Sequence, residues 1–115
     1  SGQLPLVSGS LSMTGLVGDQ ISQGDAAGQA RVAALNALAA AADVAGGVNN
    51  IRRVVRVVVY VASTADFTAQ PAVANGASEL FGEVFGDAGR HIRSAIGVAS
   101  LPLGAPVKVE LTVQV

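Results

Sequence analysis

The chain has 115 residues, half of them hydrophobic and 13% charged, with a formal net charge of −1. Such a length and composition make one folded domain with a single core and exclude a disordered chain. The absence of cysteine excludes disulfides, thiolate catalysis and cysteine-ligated metals, and one histidine among eight scattered acids argues against any other metal site.

Residues 1–22 are rich in glycine and serine and hold two short apolar pieces, at 4–7 and 16–17. They read as a strand end, a loop and a short extended segment. Ser1-Gly2-Gln3-Leu4-Pro5 looks like a strand running into a turn with no lead-in, so further residues are expected upstream. Ser22 or Asp25 can cap the alanine-rich helix predicted over 26–45. Val32, Leu35 and Leu38 mark its apolar face, Ala41 and Ala42 continue it, and Gly46-Gly47 stops it. So much alanine favours close approach of the helix backbone to a sheet.

Valines then dominate 51–62, the strongest strand signal in the chain. Its first half is mixed on both faces, whereas its second half is apolar on both and needs cover on both. Ser63-Thr64-Ala65-Asp66 forms a loop, and Pro71 suits an early helical position. Val73, Ala77, Leu80, Phe81, Val84 and Phe85 recur at helical spacing, and 86–89 ends this second helix.

Two strands close the chain, one through 93–98 and one through 107–113, joined by a Leu101-Pro102-Leu103-Gly104 turn. In the last strand every odd position from Val107 to Val115 is apolar, and Lys108, Glu110, Thr112 and Gln114 are polar. Taking Ile96 and Val98 as the core set of the other strand leaves Arg93, Ala95 and Gly97 opposite them. On this reading Arg93 and Glu110 share the face turned away from the core, beside a hollow left by the small neighbours. Right-handed crossovers put both helices on one side of a mixed sheet, as in split βαβ folds. The other side, with Val58, Tyr60, Ala95, Gly97 and Glu110, then has no internal cover. That predicts a cyclic homo-oligomer with Arg93 near a subunit boundary.

The run Arg93-Ser94-x-x-x-Val98-x-x-Leu101-Pro102, with the Val107-Lys108-Val109-Glu110 strand, resembles the signature of the RidA/YjgF family, also described as endoribonuclease L-PSP-like. Ser1-Gly2-Gln3 is similar to its Ser-Gly-Gln strand end, and the segments around Gly28-Gln29-Ala30-Arg31 and 57–61 fall in its order. Asn75-Gly76-Ala77-Ser78 and Gly89-Arg90-His91-Ile92-Arg93 resemble a branch distinct from the RidA deaminases proper. The resemblance covers essentially all of 1–115 as one domain. It implies an α+β, chorismate-mutase-like fold with two helices on one face of a mixed sheet, and a homotrimer with clefts between subunits. It also implies hydrolysis of 2-imino (enamine) acids, released by pyridoxal-phosphate enzymes, to 2-oxo acids and ammonia, with no cofactor of its own.

Carried over residue by residue, Arg93 matches the arginine that grips the substrate carboxylate, and Ala95 a position whose backbone contacts substrate. Glu110 matches the acid that positions the attacking water, and Ser1 and Gly2 a cleft wall. Asn75 matches a family asparagine across an apparent one-residue insertion near 86–89. The family's N-terminal hairpin, with a cleft tyrosine, is absent from the chain. His91-Ile92 replaces the usual Pro-Ala before the arginine, and Ala95 stands where RidA proper often has cysteine.

Each residue also has a plainer reading. A strand arginine is commonly a surface or ion-pair residue, although its planar fork suits carboxylates better than lysine does. Glu110 can be a solvated residue or a general base that orients water. His91 is read as structural or exposed rather than as a proton shuttle, and Tyr60 as an interface residue. Arg52, Arg53 and Arg56 form the one cluster of cations, and aromatic residues are scarce, which gives nucleic-acid binding little support. No apolar run approaches the ~18 residues of a membrane span and no signal peptide is recognisable, so a cytoplasmic protein is expected. The leading expectation is an imine deaminase. A non-catalytic trimer that binds small carboxylates is the alternative, and an endoribonuclease ranks last.

Overall fold

The computed structural model describes residues 2–115. In chain order the elements are β1 (Gly2–Gln3), β2 (Leu6–Val7), β3 (Ser10–Leu11), α1 (Gln23–Ala45), β4 (Arg53–Ala62), α2 (Gln70–Phe85), β5 (Ile92–Val98) and β6 (Val107–Gln114). The main sheet has the order β1-β6-β4-β5, with β4 and β5 parallel and β6 antiparallel to both β4 and β1. Insertion of β6 between the strands that flank α1 makes the split βαβ arrangement. Both helices lie on one face, where they enclose Val57, Val59, Val61, Val107, Val109 and Leu111.

Local chemistry sets the ends of α1. Ser22 accepts from the Asp25 amide at 3.1 Å, and Gly46 takes the left-handed conformation (φ 84°) that closes the helix. Asn36 on α1 donates to the Leu4 and Leu6 carbonyls, both at 2.9 Å, and ties down the N-terminal segment. That segment folds into a small β2–β3 hairpin rather than a plain loop. Its two-residue turn, Ser8 and Gly9, has positive φ at both positions, as a type I′ turn requires.

Three details correct expectations from the sequence. First, the buried face of α1 is built from Ala26, Ala30, Ala33, Ala34, Ala37 and Leu38, whereas Leu35 is 47% exposed. The helices approach too closely for a larger side chain: a Cβ on Gly76 of α2 would collide with the Ala27 carbonyl of α1. Second, the pairing of β4 with β6 shifts register between Val54 and Arg56. This bulge adds one residue and so reverses the alternation. Val54 therefore shares the buried face with Val57, Val59 and Val61, and the apparent mixture in the first half of the strand is resolved.

The third correction concerns β5. Its register aligns Arg93 with Val57, Ala95 with Val59 and Gly97 with Val61, so all three face the helices. Ile92 (67% exposed) and Ile96 (43% exposed) point to the open face instead. Parity alone points the bulkier apolar set, Ile96 and Val98, toward the core. Over this edge strand the reverse holds: past Arg93 the residues beneath α2 are the small Ala95 and Gly97. A Cβ on Gly97 would sit 2.9 Å from Gln70 Nε2 and 3.1 Å from Ser63 Oγ. The open face thus carries Val58, Tyr60, Glu110, Ser94 and Ile96, and not Ala95 or Gly97.

The Gly76 contact makes a paired prediction. Gly76→Ala is expected to lose roughly 1–3 kcal/mol by overpacking, despite alanine's better helix propensity. Gly82→Ala, in the same helix with nothing near its Cβ, should gain up to about 1 kcal/mol. Urea midpoints measure both, and a shift of the same sign in the two variants would refute the close approach.

Candidate functional site

Arg93 leaves β5 beneath the middle of α2. Its Nη1 donates to Asn75 Oδ1 at 2.7 Å and to Ser78 Oγ at 3.3 Å. Asn75 and Ser78 are three residues apart and so lie on one face of α2. Both Nη1 hydrogens are thereby committed to neutral acceptors. The ion pairs among the described residues are Arg31–Glu83 and Arg90–Asp87, so Arg93 has no acidic partner there. The guanidinium is held in place but not neutralised. Its Nε–H and Nη2–H edge forms a planar fork of the kind that binds carboxylate with two hydrogen bonds.

A second layer supports this arrangement. Ser78 Oγ lies 2.9 Å from His91 Nε2, and His91 Nδ1 lies 2.6 Å from the Gly89 carbonyl oxygen. The Phe81 ring stands edge-on to the imidazole, with centroids 6.0 Å apart at 88°. Asn75 was expected at the site. Ser78 and the partnership with His91 were not, and the signal available in the sequence was the three-residue spacing on the polar stripe of α2.

Ala95, next along the row, is half-buried and packs against the core. The hollow expected beside Arg93 lies further on, at Gly97. There a cavity of 560 Å³ opens at the C-terminal ends of β4 and β5, lined by Ser63, Thr64, Phe67 and Gln70 among others.

Glu110 belongs to the opposite face. It pairs with Gly2 on one side and Val58 on the other. A Cβ on Gly2 would strike the Lys108 side chain and lie 3.4 Å from Glu110 Cγ, so these three residues form one surface. Tyr60 completes it. Burial, then the Glu110 charge and a hydrogen bond to that carboxylate, raise the Tyr60 phenol above the usual tyrosine range, while Arg56 acts in the opposite direction. Ser1, the other expected wall residue, lies outside the described residues.

Arg93 and Glu110 therefore do not share a face, which corrects the parity reading. β4 stands between their strands, a separation of two strand spacings or roughly 10 Å, and their side chains leave opposite sides of the sheet. One chain assembles Arg93, Asn75 and Ala95 at one place, and Glu110, Gly2 and Tyr60 at another.

Residues 1–115 match the family model described as "YjgF/chorismate mutase-like, putative endoribonuclease". The protein TCP17 of Trypanosoma cruzi is 42% identical over 115 residues, covering 99% of this chain and 72% of that protein. The crystal structure of Atu1372 from Agrobacterium tumefaciens, a protein described as of unknown function, superposes with a TM-score of 0.96. It is 43% identical, and the match covers all of this chain and 73% of that one. The YjgF gene product of E. coli is more distant, at a TM-score of 0.64 and 26% identity over 96% of this chain and 74% of that one. The match along the whole chain, joined to a split βαβ sheet with two helices on one face, shows that the chain belongs to the YjgF/chorismate mutase-like family.

Proposed function

We propose that the protein is a hydrolytic deaminase of small 2-imino acids that works in clefts shared between copies of the chain. The observation that carries this reading is Arg93, a charge immobilised by Asn75 and Ser78 without an acidic partner among the described residues. Its free Nε/Nη2 edge would take the substrate carboxylate.

A water must then attack the imine carbon, and Glu110 is the carboxylate available to orient it and accept its proton. The C–O bond forms as the imine π electrons move to nitrogen. The proton held by Glu110 passes to that nitrogen and leaves a carbinolamine. Its hydroxyl proton then moves to nitrogen through the same carboxylate, and as the C=O bond forms the C–N bond breaks to release ammonia and the 2-oxo acid. An imine is electrophilic enough that this modest assistance suffices. Since Arg93 and Glu110 occupy opposite faces of one sheet, the reading requires Glu110 from a neighbouring copy. Exposed Ile92 and Ile96 give the open face an apolar surface on which copies can associate. A cyclic trimer is the assembly proposed.

The same separation favours a second reading, in which Arg93 binds small carboxylates and nothing is turned over. Endoribonuclease chemistry has less support. Both ring nitrogens of His91, the chain's one histidine, are already hydrogen-bonded, which leaves no histidine pair for acid–base work on RNA.

A coupled assay, with an amino-acid oxidase generating 2-iminobutanoate in situ, separates these readings. Arg93→Ala should lower kcat/KM by on the order of 10–100-fold or more, and Arg93→Lys should recover only part of it, because lysine lacks the fork. Full activity in Arg93→Ala ends the mechanism, and carboxylate binding without turnover in the wild type selects the second reading. Sedimentation at micromolar concentration should show a trimer, and a monomer would remove the shared cleft.

Tyr60 reports on the other half of the site. Glu110→Gln removes the negative charge that disfavours the phenolate, so the Tyr60 pKa should fall toward the usual tyrosine range. Tyr60 is the one tyrosine and there is no tryptophan, so ultraviolet titration reads it directly. An unchanged pKa would mean that Glu110 does not face Tyr60.

A further inference from the structure

The hydrogen-bond chain behind Arg93 has a direction. A carbonyl oxygen only accepts, so His91 Nδ1, 2.6 Å from the Gly89 oxygen, carries the hydrogen. In the neutral ring Nε2 is then an acceptor, and the Ser78 hydroxyl donates to it across 2.9 Å. Its single hydrogen spent, Ser78 Oγ turns lone pairs toward Arg93 Nη1, 3.3 Å away. A hydroxyl without that commitment can rotate its own hydrogen toward the guanidinium.

Both ends of the chain are anchored. Gly89 is buried, and a Cβ there would collide with the Phe81 carbonyl, so its position is set by contact with the end of α2. Phe81 is fully buried and stands edge-on to the imidazole. α2 itself carries Ser78 and Asn75. The main chain before β5 and the helix above it thus grip one side chain between them.

We infer that Ser78 and His91 are positioning residues, a polarised relay from the Gly89 carbonyl that holds Arg93 Nη1 against α2. The Nε/Nη2 edge is thereby turned toward a carboxylate ligand. The inference rests on the reading of Arg93 as the carboxylate-binding group. His91 neither touches the ligand nor transfers a proton. It sets the direction of the Ser78 hydroxyl.

The chain has a single histidine, so the imidazole nitrogens can be observed by two-bond ¹H–¹⁵N correlation without ambiguity. The wild type should show the Nδ1–H tautomer of the neutral ring. Ser78→Ala should admit the Nε2–H form, and Ser78→Thr, which keeps the hydroxyl, should retain Nδ1–H. Calorimetry with 2-oxobutanoate, an unreactive ligand of the proposed class, supplies the functional readout. Ser78→Ala should weaken binding about 3- to 10-fold, the range for loss of one neutral hydrogen bond, and raise KM more than it lowers kcat. Ser78→Thr should restore both.

An Nε2–H tautomer in the wild type overturns the relay. So does undiminished binding by Ser78→Ala when Arg93→Ala has lost it, an outcome that leaves the carboxylate reading standing. Equal binding by wild type and Arg93→Ala, or none by either, defeats the carboxylate reading itself and the positioning role with it.

Discussion

The closeness of α2 to its neighbours governs the rest of the molecule. At two places a glycine admits what no side chain would, Gly76 against the Ala27 carbonyl and Gly89 against the Phe81 carbonyl, and at a third Gly97 lies close to the Gln70 and Ser63 side chains. With α2 that low over the edge strand, the covered side of β5 holds Ala95 and Gly97 beyond Arg93, and Ile92 and Ile96 are turned outward. Arg93 follows from the same geometry. Its backbone faces the helix, and its long side chain leaves the sheet to meet Asn75 and Ser78.

A charge held in this way is unusual in one respect. Surface arginines ordinarily pair with acids at little net gain, or stay mobile in water. Arg93 instead is held by two neutral acceptors, which on the proposed reading makes it ready for an anion without reorganisation. Ordering such a side chain before the ligand arrives moves its entropy cost from binding to folding. Glu110 is prepared differently, on an open and partly apolar surface beside Tyr60 and Gly2. The two halves have one sheet in common and nothing else. On the proposed reading, assembly brings an Arg93 half and a Glu110 half from different copies into one cleft. That also gives the outward isoleucines a use.

Much of this is legible in the sequence alone. The two helices, the valine strand and the terminal strand pair follow from periodicity and glycine punctuation, since those signals act over a few residues, and the shared helical side follows from the handedness of the crossovers. The β5 face did not follow. Alternation identifies two sets of residues and is silent on which set is covered, and the larger apolar set was the wrong choice for a strand lying directly beneath a helix. The bulge at Val54/Arg56 escaped for a related reason, because one extra residue reverses parity and leaves only a mixed pattern as its trace. On α1 hydrophobicity points to Val32, Leu35 and Leu38 as the buried stripe, whereas packing distance selects the alanines with Leu38.

By itself, then, the sequence determined which segments are helix and strand, and that Arg93, Asn75 and Glu110 merit attention through their likeness to a family pattern. Tertiary structure decided which of them meet. Arg93 and Asn75 are 18 residues apart and come together across a helix–strand contact, and Ser78 and His91 join them through hydrogen bonds 13 and 15 residues long in sequence. Arg93 and Glu110 are separated by β4 and by the plane of the sheet. Propensity and periodicity are local quantities, whereas face and proximity depend on how closely a helix settles onto a strand. That depth is set by side chains far apart in the chain, such as Gly76 and Ala27.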